Sequence, residues 1–191
     1  MKRRTSIKSI LALSFLGASS FSVYKWLDLH QDFDESRLLG FKELISELAE
    51  TIIPETDTPG AKRAGVEQFI LNVIMDCTPK IEQNKFINGL AEVELYAKDK
   101  FQKSFMKCNE AERLNILTYF EEKNVYSISI FNKINSKIFG TTFFSKLKQL
   151  SVEGYCLSEL GATQGLSYDE IPVKYESCIP MKMNQKSWAT K

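Results

Sequence analysis

Leu48-Ala-Glu-Thr-Ile-Ile-Pro-Glu-Thr-Asp-Thr-Pro-Gly-Ala-Lys-Arg-Ala-Gly-Val66 is the stretch whose reading decides how this chain folds. It begins as the end of an amphipathic helix, breaks at Pro54, crosses a polar turn and re-enters an apolar helix at Val66. Proline lacks a backbone N–H and pushes the preceding residue away from helical angles, so the first helix stops at Ile53. Thr56, Asp57 and Thr58 have short polar side chains that hydrogen-bond nearby backbone, which suits a turn. Two geometries fit the Pro59-Gly60 pair. It occupies the centre of a type II turn with Gly60 at positive φ, or Asp57 or Thr58 caps a short helical turn with Pro59 near its first position. Gly65 either ends that turn or lets two backbones come close.

Outward from this corner the apolar residues keep a helical period. Leu38, Phe41, Ile45, Leu48 and Ile52, with Leu44 and Ala49 beside them, make one stripe over residues 37–53, and Ser36 is placed to cap it. From Val66 the pattern repeats through Phe69, Ile70, Val73, Ile74 and Cys77, until Thr78-Pro79 ends that helix and starts the next. Phe86, Leu90, Val93, Ala97, Phe101 and Phe105 then predict one long helix from Lys80 to about Lys107, with Gly89 as a bend. Asn109-Glu-Ala-Glu112 resembles a capping box. It opens a helix with Leu114, Leu117 and Phe120 on one face that ends near Lys123. Residues 124–138 fit a helix or an alternating strand, and their place among helices favours helix. Thr141 or Thr142 caps a last helix carrying Phe143, Phe144, Leu147 and Leu150. The expected fold is therefore all-α, a small helical domain of about five to six helices with a loop-rich C-terminal tail.

The composition fits one domain with a short extension. Of 191 residues 43% are hydrophobic and 13 are Phe, enough to fill a core and to exclude a disordered chain. The 25 basic and 24 acidic side chains leave no basic surplus, so no nucleic-acid partner is expected. The cysteines, Cys77, Cys108, Cys156 and Cys178, lie too far apart for a CxxC motif, and His30 is the only histidine. No metal site is expected from so scattered a set. A disulfide between Cys156 and Cys178 would tie the tail to the last helix; unpaired thiols are the alternative. His30 lies in a polar stretch with no Ser or carboxylate spaced to make it a base.

Met1-Lys-Arg-Arg-Thr-Ser-Ile-Lys8 precedes a short apolar run ending in small residues at Ser20. A basic start, a short apolar core and a small-x-small site at Ala18 and Ser20 predict an export signal over residues 1–20. Arg3-Arg4, with Ile7 and Lys8, resembles a twin-arginine signal, although Ser6 stands where that motif has Phe and Lys2 where it has Ser or Thr. An ordinary secretory signal is the alternative, as is an uncleaved anchor through Leu27, a run that Lys25 interrupts. Residues 21–36 read as a linker.

Two boxes carry a resemblance to a known family. The first is Ile53-Pro54, Thr56-Asp57-Thr58-Pro59-Gly60-Ala61, Ala64-Gly65-Val66 and Phe69; the second is Gly154, Tyr155, Ser158, Gly161, Leu166, Tyr168, Pro172 and Tyr175. In this order they resemble the gluconate 2-dehydrogenase subunit 3 family, with Cys156 where an aromatic residue is expected and Val173 where Gly is expected. The resemblance covers roughly residues 37–180, leaving 181–191 as a terminal tail.

That resemblance implies a non-catalytic accessory subunit. Its partner would be a large FAD-dependent dehydrogenase of the glucose-methanol-choline class, passing electrons to an acceptor such as a cytochrome c subunit. FAD belongs to the partner; no cofactor is expected in this chain. Export through the twin-arginine translocase would place the complex in the periplasm, membrane-associated through its other subunits. The partner interface is expected at Thr56, Asp57, Thr58, Pro59, Gly60 and Gly65 and at Gly154, Tyr155, Ser158, Gly161, Tyr168, Pro172 and Tyr175. The residues themselves add no GxGxxG, no phosphate loop, no Ser/His or Cys/His constellation and no CxxCH. A second reading is a free-standing periplasmic helical protein with a binding or folding-factor role, in which the tyrosines only pin the tail to its own domain.

Overall fold

The computed structural model describes residues 32–123, 142–171, 178, 180, 181 and 183–189. The signal, the segment 124–138, Pro172 and Tyr175 lie outside the described residues. Within them the chain is helical, in the order α1 (Glu35–Gly40), α2 (Lys42–Ile52), α3 (Val66–Asp76), α4 (Lys80–Phe101), a 3-10 turn (Phe105–Lys107), α5 (Glu110–Lys123), α6 (Phe143–Leu157) and a π turn (Gly161–Gly165). The all-α expectation holds.

Local chemistry sets most boundaries. Asp34, not Ser36, caps α1 by accepting the Arg37 N–H at 3.2 Å; Ser36 sits in the first turn and donates to the same carboxylate. The stripe expected as one helix is divided at Phe41, between α1 and α2. The carbonyls at the end of α3 are covered from the next helix: Gln83 donates to Ile74 and Met75 at 2.7 and 2.9 Å. Asn109 and Glu112 exchange hydrogen bonds at 2.8 and 2.9 Å, so the capping box forms. Thr142 caps α6 through the Ser145 N–H at 3.3 Å.

The long helix is shorter than its periodicity predicts. It ends at Phe101, and Gln102 takes the left-handed conformation at φ 57°. Phe105 nevertheless keeps the apolar spacing, because the 3-10 turn after the break folds it back into the core, where it is fully buried. On α5 the inward face is Ile116, Leu117 and Phe120, while Leu114 is exposed. Cys77, expected on the apolar face, is also exposed.

The core lies between α6 and α2, α3, α4 and α5, all of which it touches. Leu48, Ile70, Leu90 and Leu147 supply one fully buried side chain from each of four helices. Each such burial contributes roughly 1.5–3 kcal/mol. Phe143 meets Phe86 at 5.3 Å and Phe120 at 6.2 Å between ring centroids.

Helix α4 runs unbroken through Gly89, and Phe143 lies against its α-carbon, with the Phe143 Cβ 2.6 Å from where a Gly89 Cβ would stand. Alanine here gains about 1 kcal/mol of helix propensity, but the conflict is with the root of a core side chain, and such overpacking costs about 1–3 kcal/mol. Gly89→Ala is expected to lower stability by about 1 kcal/mol, read as a lower urea midpoint at unchanged m-value.

Candidate interaction surface

The corner between α2 and α3 is built by hydrogen bonds that point inward. Ala61 donates to the Ile53 carbonyl at 2.9 Å, which closes the loop over the end of α2. Ala64 then donates to Gly60 at 3.1 Å and Val66 to Ala61 at 3.1 Å, so residues 60–65 form a short helical turn. This is the second geometry anticipated from the sequence, not the type II turn. The positive φ expected at Gly60 falls on Gly65, at 68°, just before α3. Gly60 serves close approach instead: it is buried, and a Cβ there would fall on the Glu50 carboxylate.

Glu50 organises the corner. Its two oxygens accept the Glu55 N–H at 2.9 Å and the Lys62 N–H at 2.8 Å. The capping role assigned to Asp57 or Thr58 thus passes to a residue on the preceding helix. Thr56 and Thr58 instead close a local turn, the Thr56 N–H donating to the Thr58 carbonyl at 3.0 Å and its hydroxyl to Asp57 at 3.1 Å. Thr56 and Asp57 are exposed, Thr58 and Gly65 half-buried, and Pro59 buried.

One helical turn back, Glu47 pairs with Lys62 and, at 2.6 Å, with Arg113 of α5. These bonds, that to Lys62 first, hold the Glu47 carboxyl below the usual glutamate range, and Glu47 in turn raises the Lys62 ammonium. Arg113 also donates to the Cys108 carbonyl at 3.1 Å and the Met106 carbonyl at 3.0 Å, with its guanidinium 5.4 Å from the Phe105 ring centroid. Burial pushes the Cys108 thiol up, away from the thiolate a nucleophile needs.

The second box sits on the first. Tyr155, on the last turn of α6, is buried and donates its hydroxyl to the Pro59 carbonyl at 2.8 Å. Gly154 lets α6 close on α3, since a Cβ there would stand 2.8 Å from Phe69 and 3.2 Å from Val66. Ser158 donates to the Tyr155 carbonyl at 2.7 Å and accepts the Gly161 N–H at 3.0 Å, turning the chain into the π turn. Gly161 is buried over that same carbonyl, and Gly165 lies against the Tyr155 ring. The tyrosine ring is therefore held between the Pro59 loop and the π turn. Of the candidate interface residues, Pro59, Gly60, Gly154, Tyr155 and Gly161 are interior, whereas Thr56, Asp57 and Tyr168 face outward.

The tail is not fastened by a disulfide. All four cysteines are free thiols, correcting the Cys156–Cys178 pairing. Main-chain bonds do that work: Ser167 donates to Ser187 at 2.7 Å and accepts from Ala189 at 2.8 Å, while the Lys186 ammonium reaches the Gln164 carbonyl at 2.5 Å. Among the described residues no group of His, Cys, Asp and Glu is placed to hold a metal ion, and no helix is long and apolar enough to cross a membrane.

Sequence reading missed Glu50, Glu47 and Arg113. Glu47 and Glu50 look like ordinary charges on a helix, and Arg113 lies 66 positions from the carboxylate it meets. The small residues at Gly60 and Gly154 were the available signal, marking places where something must come close.

The arrangement defines a small all-helical domain in which a polar corner and a C-terminal turn are locked together by one tyrosine. The model of the family Gluconate 2-dehydrogenase subunit 3 matches residues 42–173, and the chain belongs to that family. It is thus an accessory subunit, of a type that forms part of a multi-subunit gluconate dehydrogenase. No match is found among curated proteins or among solved structures.

Proposed function

We propose that this chain is the non-catalytic small subunit of a periplasmic, membrane-associated, FAD-dependent sugar or gluconate dehydrogenase. It stabilises the flavoprotein and helps it leave the cell folded. The observation that carries this is the family match over residues 42–173, which spans the first box, the second box through Pro172, and the corner that Tyr155 ties to Pro59. In this reading FAD and the chemistry belong to a large partner of the glucose-methanol-choline class, and a cytochrome c subunit takes the electrons. Arg3, Arg4 and Lys8 supply the export signal for chain and partner together, through the twin-arginine translocase.

The test uses the native host. A tagged full-length chain is expected to recover a yellow, FAD-containing partner from the periplasm. Replacing Arg3-Arg4 with Lys-Lys is expected to leave most of the dehydrogenase activity in the cytoplasm. Normal export of the flavoprotein in that variant refutes the carrier role, and recovery of the chain alone refutes the complex.

A further inference from the structure

We infer that Cys178, Met181 and Met183 form an all-sulfur site for a soft monovalent cation, Cu(I), on the C-terminal loop. The site lies beyond residues 42–173, which carry the family match, and it does not rest on the function proposed above.

Methionine is among the side chains that folding most often hides. Met181 and Met183 are 91% and 96% exposed, more than any other large apolar side chain among the described residues. Cys178 is exposed as well, and it is a free thiol. Three sulfurs therefore stand in solvent within the run Cys178-Ile-Pro-Met-Lys-Met183. At such exposure no packing fixes the methionine rotamers, and each thioether arm has three rotatable bonds with which to turn toward one ion. The loop is held at its base. Ser167 bonds to Ser187 and Ala189, and the Lys186 ammonium reaches the Gln164 carbonyl. Asn184, left-handed at φ 59°, sets a turn directly after Met183.

The donor set selects the ion. Thiolate and thioether are soft ligands that favour Cu(I). Residues 178–191 contain no Asp, Glu or His, and their charged side chains are Lys182, Lys186 and Lys191. They offer no carboxylate for calcium or magnesium, which take oxygen ligands. They offer no imidazole and no second thiolate for zinc. The lysines oppose a dication twice as strongly as a monovalent ion, because the repulsion scales with charge. Cu(I) on one thiolate is neutral. Binding forms a copper–sulfur bond at Cys178, and the thiol proton leaves to solvent. Met181 and Met183 add lone pairs, and neither the metal nor any sulfur changes oxidation state.

The test titrates the full-length chain with Cu(I), without oxygen, in competition with the chelator bicinchoninate. Its methionines carry 13C-labelled methyl groups. Of the 5 methionines, Met181 and Met183 are expected to shift their methyl resonances as one equivalent of Cu(I) is added, and Zn(II) is expected to move neither. Met181→Leu and Met183→Leu keep an apolar side chain at an exposed position, so thermal unfolding should not change. Each is expected to lower Cu(I) affinity by at least the roughly 10–100-fold that losing an outer-shell partner costs a metal site. Cys178→Ser is expected to abolish the methyl shifts. Cys77→Ser, which removes the other fully exposed thiol, is expected to leave them in place. Affinity should rise with pH, since one proton is displaced. Methyl resonances that stay in place, leucine variants that bind Cu(I) as the wild type does, or an equal response to Zn(II) would overturn the site. Each of these results leaves the proposed function untouched.

Discussion

Arg113→Met is expected to lower the unfolding free energy by roughly 2–4 kcal/mol at neutral pH, and by much less in acid. Arg113 and Glu47 are mostly shielded, at 20% and 14% side-chain exposure, and lie 2.6 Å apart. Removing one member of such a pair leaves the other charge short of its partner, which costs more than an exposed bridge contributes. Lys62 still meets Glu47, but it is 56% exposed and its charge is screened, so it compensates only in part. Two carbonyls, of Met106 and Cys108, lose their donor as well. Methionine retains much of the apolar stem over Phe105, so packing is the smaller share of the loss. The pH dependence separates the contributions. The folded Glu47 carboxyl titrates below its unfolded value, so its contribution is complete above the ordinary glutamate range of about 4.3 and disappears as pH falls through the folded value. Urea unfolding of wild type and variant near pH 7 and near pH 3 should therefore give curves whose gap narrows in acid. A gap as wide in acid as at neutrality would assign the loss to the guanidinium's carbonyl bonds and packing, and would remove the ion pair from the account.

The helices were legible because their information is local. Pro54 ends α2, Asn109 and Glu112 cap α5, and the stripe through Ile45 and Leu48 needs only its own period to be read. The errors share one cause. Phe105 keeps helical spacing across the end of a helix, and Leu114 keeps it on a face that points to solvent, because tertiary contacts and not spacing decide which apolar residue is enclosed. The corner was legible as a turn but not as to what holds it. Proline and glycine announced a reversal, yet the choice between turn types was made by Glu50, whose bond to Lys62 spans twelve residues. Tyr155 was singled out by its box, and sequence offered it two places, a partner surface or its own domain. The hydroxyl on Pro59 places the side chain inside its own domain.

The same junction gives the second large effect, at Gly161. A Cβ at this position would stand less than 3 Å from the Tyr155 carbonyl group and the Ser158 hydroxyl. Gly154→Ala would meet instead the edge of the Phe69 ring, a side chain on a half-exposed helix face that is able to turn aside. The Tyr155 carbonyl has no such freedom, because it accepts from both the Ser158 N–H at 3.2 Å and the Ser158 hydroxyl at 2.7 Å. The π turn must therefore move away from α6, at a cost of about 1–3 kcal/mol. The displacement lifts Gly165 from the Tyr155 ring and strains the bonds by which Ser167 holds the C-terminal tail. Gly161→Ala is accordingly expected to speed amide exchange over residues 161–167 while α2 and α3 stay protected, since local opening reports the stability of one unit and not of the whole fold. The Pro59 loop should then loosen in turn, because it shares Tyr155 with the displaced turn. Gly154→Ala should show a smaller loss of stability and no selective exchange in that turn. Equal exchange profiles for the two variants would mean that the turn and the corner are not mechanically joined through Tyr155.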